Sequence, residues 1–154
     1  GGYTFPNGAH AAEVEIDPDT GAIEVVRYTA VDDCGRVINP LLATGQVHGG
    51  VAMGIGQALL ENAIYDDDGQ LLSGSLMDYA MPRAMHISDM DVSFHEVLDP
   101  NNDLGVKGIG EGGACAAPSA VVNAAIDALA PMGITALDMP MTPERLWRAI
   151  RAVS

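Results

Sequence analysis

Basic side chains are scarce in this sequence. Seven Lys and Arg stand against 21 Asp and Glu, a formal charge of −14, and Lys107 is the only lysine. Phosphate recognition needs clustered Lys and Arg, so this balance argues against nucleic acid and against an anionic membrane surface as partners. Cysteine is nearly absent too. Cys34 and Cys115 are too few for a disulfide framework, and neither sits in a C-x-x-C metal spacing. A reducing, cytoplasmic setting is therefore expected. The longest apolar run, residues 47 to 60, carries His48 and Gln57 and is too short and too polar to span a bilayer, despite its G-x-x-x-G spacings. There is no internal repeat, low-complexity segment or linker. The chain begins at Gly1 rather than Met, without a basic and apolar leader pattern, so no secretory signal is visible and a piece of a larger protein is expected. What is present is a core: 154 residues, 48% of them hydrophobic, are enough for one domain with a buried interior.

The expected fold class is α+β, with β-hairpins and short strands packed against about three helices in a single domain over residues 1–154. Residues 11 to 33 alternate apolar and acidic positions around D-P-D-T-G. They predict a β-hairpin with Val14 and Ile16 inward, Glu13 and Glu15 outward, and Gly21 closing the turn. Asp17 and Asp19 read as a solvated turn, because the rest of a calcium loop is missing. Residues 34 to 46 read as a loop punctuated by Gly35 and Pro40. A helix follows over 47 to 62, with Val47, Val51, Ile55 and Leu59 on one face. Gly49, Gly50, Gly54 and Gly56 each cost such a helix about 1 kcal/mol relative to Ala, so another backbone or a ligand is expected to approach closely. A second hairpin is predicted over 64 to 72 and a strand over 91 to 97. The segment 117 to 130 predicts a helix with Pro118 in its first turn and Val122, Ala125, Ile126 and Leu129 on one face. The last helix starts at Thr142 as N-cap and Pro143, with Leu146, Trp147, Ile150 and Val153 forming its apolar face. Its Arg145, Arg148 and Arg151 form the only basic stripe, either an exposed face or a docking surface.

The densest signal is "GVKGIGEGG", residues 105 to 113. Gly108, Gly110 and Gly113 make a G-x-G-x-x-G pattern, but the dinucleotide reading fails on context. A turn-rich segment, "DPNNDLG", precedes it in place of a strand, and no acidic residue occupies 128 to 137. A phosphate-binding Walker loop fails because Lys107 precedes the glycines. What remains is a carboxylate, Glu111, on a glycine loop just before a helix. Backbone N–H groups of such a loop can hold anionic or metal-oxo oxygens. A largely desolvated glutamate there would have a raised pKa and serve as a general base. The competing reading is that Glu111 favours the helix dipole or pairs with Lys107. His10, His48, His86 and His95 show no zinc spacing, and Ser73, Ser75 and Ser119 lack a nucleophile elbow. Cys115 reads as a small residue packing the start of a helix, and the eight methionines as core filler. Gln46 offers two donors and one acceptor, suited to a heterocycle edge or to a helix cap.

Four stretches carry a family resemblance: "AVDDCGRVINPLLATGQVHGGVAMGIGQAL" (30 to 59), "SLMDYAMPRA" (75 to 84), "GVKGIGEGGACAAPSAVVNAAIDAL" (105 to 129) and "DMPMTPERLW" (138 to 147). Together they resemble the C-terminal part of the molybdenum hydroxylase large subunit, the xanthine dehydrogenase and aldehyde oxidoreductase family. The wording is most similar to its aerobic carbon monoxide dehydrogenase-like branch. The resemblance covers nearly the whole chain from about residue 10. It is specific for the family and leaves carbon monoxide, aldehydes, purines and N-heteroaromatics open as substrates.

The resemblance implies roles at matching positions. Glu111 would lie beside the molybdenum without being a firm ligand, and act as general base toward a metal-bound hydroxyl during oxidation of a substrate carbon. Gln46 would hydrogen-bond the pterin. Lys107, Gly108, Gly110 and Gly112 would bring the loop to the cofactor. The implied cofactor is molybdenum–molybdopterin in its cytosine dinucleotide form, with iron–sulfur clusters and FAD on partner subunits. The remaining N-terminal half of the large subunit would complete the pocket for a small-molecule substrate, so the isolated chain is expected to be inactive. Cys34 and Cys115 do not match the copper-binding loop of true carbon monoxide dehydrogenases. A noncatalytic scaffold of the same fold, never loaded with molybdenum, is the alternative.

Overall fold

A computed structural model describes residues 3–87 and 89–153. The predicted hairpin forms from β1 (Asn7–Ile16) and β2 (Ile23–Asp33), antiparallel, with Glu13 opposite Arg27 and Val14 opposite Val25, so Val26 is bulged out. Glu13 and Glu15 point to solvent while Val14 and Ile16 pack on the core. Asp17 spends its oxygens on the turn, accepting from the Asp19 N–H and the Thr20 hydroxyl, which hold its carboxyl below the ordinary range. Gly21 closes that turn at φ +72°, with no room for a side chain against Pro143 and Trp147. The strand predicted over 91 to 97 is β3 (Met90–Phe94), which joins β2 in parallel and completes a mixed sheet in the order β1-β2-β3. Over 64 to 72 the second hairpin is reduced to one bridge, Tyr65 to Leu71.

Two helices begin earlier than their apolar spacing predicts. Helix α1 runs Pro40–Leu59, so residues 40 to 46 are helical and not a loop. The reason is local: Asn39 caps the helix by accepting from Leu42 N–H at 3.2 Å, and Pro40 occupies the first turn. Helix α2 runs Gly112–Leu129, which places Pro118 inside it rather than in its first turn. Its buried row is Gly113, Ala117, Val121, Ala125 and Leu129, with Val122 and Ile126 half-buried beside it. The last helix, α3 (Pro143–Val153), starts as predicted, with Thr142 accepting from Arg145 N–H. Leu146 and Ile150 are buried, whereas Trp147 and Val153 are exposed. The basic stripe is spent locally. Arg145 donates to the Met139 and Pro140 carbonyls, Arg148 pairs with Glu144, and Arg151 lies over the Trp147 ring.

The expected close approach along α1 is made by another backbone. A methyl group on Gly50 would stand 2.8 Å from Ala114 N, and one on Gly113 would stand 2.6 Å from the Val47 carbonyl. Helices α1 and α2 therefore touch main chain to main chain, and the core forms around that contact from Tyr28, Val47, Val51, Ile55, Val121 and Leu129. The stretch Gly112–Met132 is long and apolar enough to cross a membrane by length and composition alone. Here its buried row packs on α1 and β1, as the core helix of a layered domain does.

Candidate cofactor site

The site is assembled where β2 ends. Asp33 is buried, and its Oδ1 accepts from the N–H groups of Gly35 (2.8 Å) and Val97 (3.0 Å). Its Oδ2 accepts from the Lys107 ammonium, the two side chains each about 9% exposed. Burial pushes the Asp33 carboxyl up, but Lys107 and the two N–H donors outweigh it and hold it below the ordinary range. The Lys107 N–H also donates to the Cys34 carbonyl at 2.7 Å, and Val106 bridges Gly35. Asn102 braces the same turn, donating to the Val106 carbonyl and accepting from its N–H, each at 3.0 Å. These bonds pin the start of the glycine loop to the end of β2.

Beyond Lys107 the loop runs free of such bonds. The N–H groups of Gly108, Ile109 and Gly110 find no acceptor among the described residues. The far end is held by Gln46, in the second turn of α1, whose Nε2 donates to the Gly110 carbonyl at 2.7 Å. Glu111 then occupies the capping position of α2 without capping it, and among the described residues its side chain makes neither a hydrogen bond nor an ion pair. The competing reading of Glu111 thus loses one support, since Lys107 pairs with Asp33 instead. Glu111 is exposed.

A cavity of ≈ 510 Å³ lies over the loop, lined by Gly8, Asp32, Cys34, Gly108, Glu111 and Cys115 among others. Of the site residues predicted from sequence, Gly108, Gly110, Glu111 and Gly112 line it; Gln46 and Lys107 do not, and hold the loop by hydrogen bonds instead. Cys34 is buried, and burial pushes its thiol up, so it is no ready nucleophile. Cys115 is exposed at the rim rather than buried in packing. A methyl on Gly108 or Gly110 would meet no atom within 4 Å, and neither glycine has positive φ. Among the described residues nothing requires glycine at those two positions.

Sequence reasoning missed Asp32, Asp33, His10 and Asn102. The legible signal was strand alternation: Tyr28, Ala30 and Asp32 fall on one buried face of β2, where a carboxylate is out of place. His10 stands opposite Ala30 in register, on the same face of the hairpin.

Residues 1–88 match the model of a family described as the molybdopterin cofactor-binding domain. The nicotine 6-hydroxylase large subunit of Paenarthrobacter nicotinovorans is 42% identical over 149 residues, which is 97% of this chain and 18% of that protein. The carbon monoxide dehydrogenase large chain of Hydrogenophaga pseudoflava is 36% identical over 149 residues, 97% of this chain and 19% of its own. The crystal structure of quinoline 2-oxidoreductase from Pseudomonas putida 86 superimposes with a TM-score of 0.92 at 46% identity, over 95% of this chain and 19% of that one. The chain thus spans under a fifth of the length of these relatives.

Proposed function

The chain belongs to the molybdopterin cofactor-binding domain family of the molybdenum hydroxylases, and from that membership we propose that it is the C-terminal share of a hydroxylase large subunit acting on N-heteroaromatic rings. Identity to the nicotine and quinoline enzymes, 42% and 46%, is higher than the 36% to the carbon monoxide dehydrogenase chain. Both of those substrates carry a ring nitrogen, and this supports the substrate class.

The residues present fit a molybdenum–molybdopterin group. Glycine at 108 and 110 is explained by neither φ nor packing among the described residues, so it leaves space for an outside neighbour close to the main chain. The unpaired N–H groups there suit oxygen atoms carrying negative charge. Among the described residues no cluster of three or more His, Cys, Asp or Glu is arranged to hold a metal. A metal beside Glu111 would therefore arrive on its own organic ligand, as a pterin-borne molybdenum does. When bound, that group supplies the two-electron acceptor for oxidation of a carbon.

This chain's residues would do the rest. Gly108, Gly110 and Gly112 let the loop approach the group, while Lys107 and Gln46 fix the loop's two ends through their hydrogen bonds. The Gln46 Oε1, unused among the described residues, would accept from the pterin. Glu111 takes the proton from the oxygen nucleophile that attacks the ring carbon. Its freedom from side-chain partners among the described residues is the observation that carries this role. Such a base contributes about 10²–10⁴-fold once water is excluded. Electrons leave through iron–sulfur and flavin partners, and the cofactor takes the cytosine dinucleotide form.

The test is Glu111→Gln in the full-length large subunit assembled with its partners. Dye-linked oxidation of quinoline should fall at least about 100-fold with molybdenum content unchanged. Undiminished turnover would sink the general-base role. A molybdenum-free wild-type complex from a cofactor-competent host would favour a scaffold instead.

A further inference from the structure

Helix α1 carries no charged side chain in its 20 residues, although 18% of the chain is charged. By contrast, α3 turns Glu144, Arg145, Arg148 and Arg151 to solvent within 11 residues. The inner side of α1 packs Val47, Val51 and Ile55 into the core. Its outer side is apolar as well. Leu41, Leu42 and Met53 are 81%, 69% and 62% exposed, with Gly45 and Gly49 exposed between them. These five follow one another at three- and four-residue steps, so they form one stripe along the helix.

A helix that is apolar on every side is the pattern of a buried helix. The inner side shows what such burial uses. Gly50 and Gly54, four residues apart, admit α2, and a methyl on Gly54 would stand 2.5 Å from the Ala117 Cβ. Gly45 and Gly49 repeat that pair on the outer side, where a methyl would meet no atom within 4 Å. Each costs the helix about 1 kcal/mol relative to Ala, and among the described residues nothing offsets that cost.

Three observations choose among occupants. A separately folded partner would meet a patch with a polar, charged rim, and this stripe runs on a helix without a single charge. A second copy would bring another net charge of −14 against the first, which repels. More chain of the same subunit meets neither objection, and over four fifths of the length of the large-subunit relatives lies beyond the share this chain spans. We propose that the outer face of α1 is an internal interface of the large subunit, covered by apolar, closely approaching chain from outside these 154 residues. This rests on the reading of the chain as a share of a hydroxylase large subunit. It sets the cover on the helix that holds the cofactor loop, since Gln46 of α1 donates to the Gly110 carbonyl.

The experiment uses the full-length large subunit in its complex. Hydroxyl-radical labelling with mass spectrometry compares oxidation of Met53 in the native wild-type complex and in the same protein unfolded in urea. Met53 should react at least about tenfold more slowly in the native complex. Similar rates in a complex that holds molybdenum and oxidises quinoline would overturn the inference and leave the proposed function standing. Photomethionine incorporated in place of methionine, nearly unchanged in size, then identifies the cover by crosslinking from position 53. Links to the same large subunit outside these 154 residues, at unchanged subunit mass in a denaturing gel, are expected. Links to an iron–sulfur or flavin subunit, to a second large subunit, or only within these residues would overturn it. A molybdenum-free complex with Met53 protected and linked as expected would overturn the proposed function while upholding the interface.

Discussion

Asp33 and Lys107 show how one buried pair can place a loop. Two backbone donors and one ammonium converge on a single carboxylate, and each donor comes from a different part of the chain. Lys107→Met would leave Asp33 buried without its cation. We expect a loss of roughly 3 kcal/mol, the low end for breaking a buried pair, because the two N–H donors remain. A urea titration reads this as a lowered midpoint at unchanged slope; an unchanged midpoint would mean the pair adds nothing. The pH dependence follows from the direction of the Asp33 shift. Its folded pKa lies below the ordinary 3.8, so the contribution is complete above that value and is lost as pH falls through the folded pKa. The gap in melting temperature between wild type and Asp33→Asn should thus be constant above about pH 5 and shrink below it. A gap that widens on acidification would contradict the assignment.

At the scale of elements, the two long helices show what was legible and what was not. Their existence and buried spacing could be read, because Val47, Val51, Ile55 and Ala125, Leu129 repeat at helical intervals. Their first turns could not be read that way. Residues 40 to 46 carry little apolar period, and Gly112 and Gly113 count against helix by propensity. The Asn39–Pro40 cap was the signal for the first. For the second there was none, since the contact that favours helix at Gly113 comes from α1 and lies 60-odd residues away in sequence. The same geometry separates two glycines that look equivalent in sequence. Gly50→Ala gains about 1 kcal/mol of helix propensity but drives a methyl into the Ala114 backbone, for a net loss of about 1–2 kcal/mol. Gly49→Ala meets no atom within 4 Å and should stabilise the domain by up to about 1 kcal/mol. Thermal melts that move the same way in both variants would refute the backbone contact.

At the scale of the molecule, large apolar side chains and the proposed base lie open at the surface. Leu41, Leu42, Leu76 and Met77 are 69% to 96% exposed, and Glu111 and Gln46 are exposed too. A carboxylate in water keeps its hydration and is a weak base toward a bound nucleophile, so this chain alone lacks the dry surroundings that general-base catalysis needs. The relatives are more than five times as long, and under the proposed function such additional length would supply the dry wall. We therefore expect the 154-residue chain, expressed alone, to retain helical circular dichroism yet carry under about a tenth of the molybdenum of the full-length subunit. Dye-linked oxidation of quinoline should be undetectable. Co-expression with the rest of the large subunit should restore both, and Glu111→Gln in that assembly should restore molybdenum without turnover. Oxidation by the short chain alone would mean that its exposed loop suffices, and that the dry second wall is unnecessary.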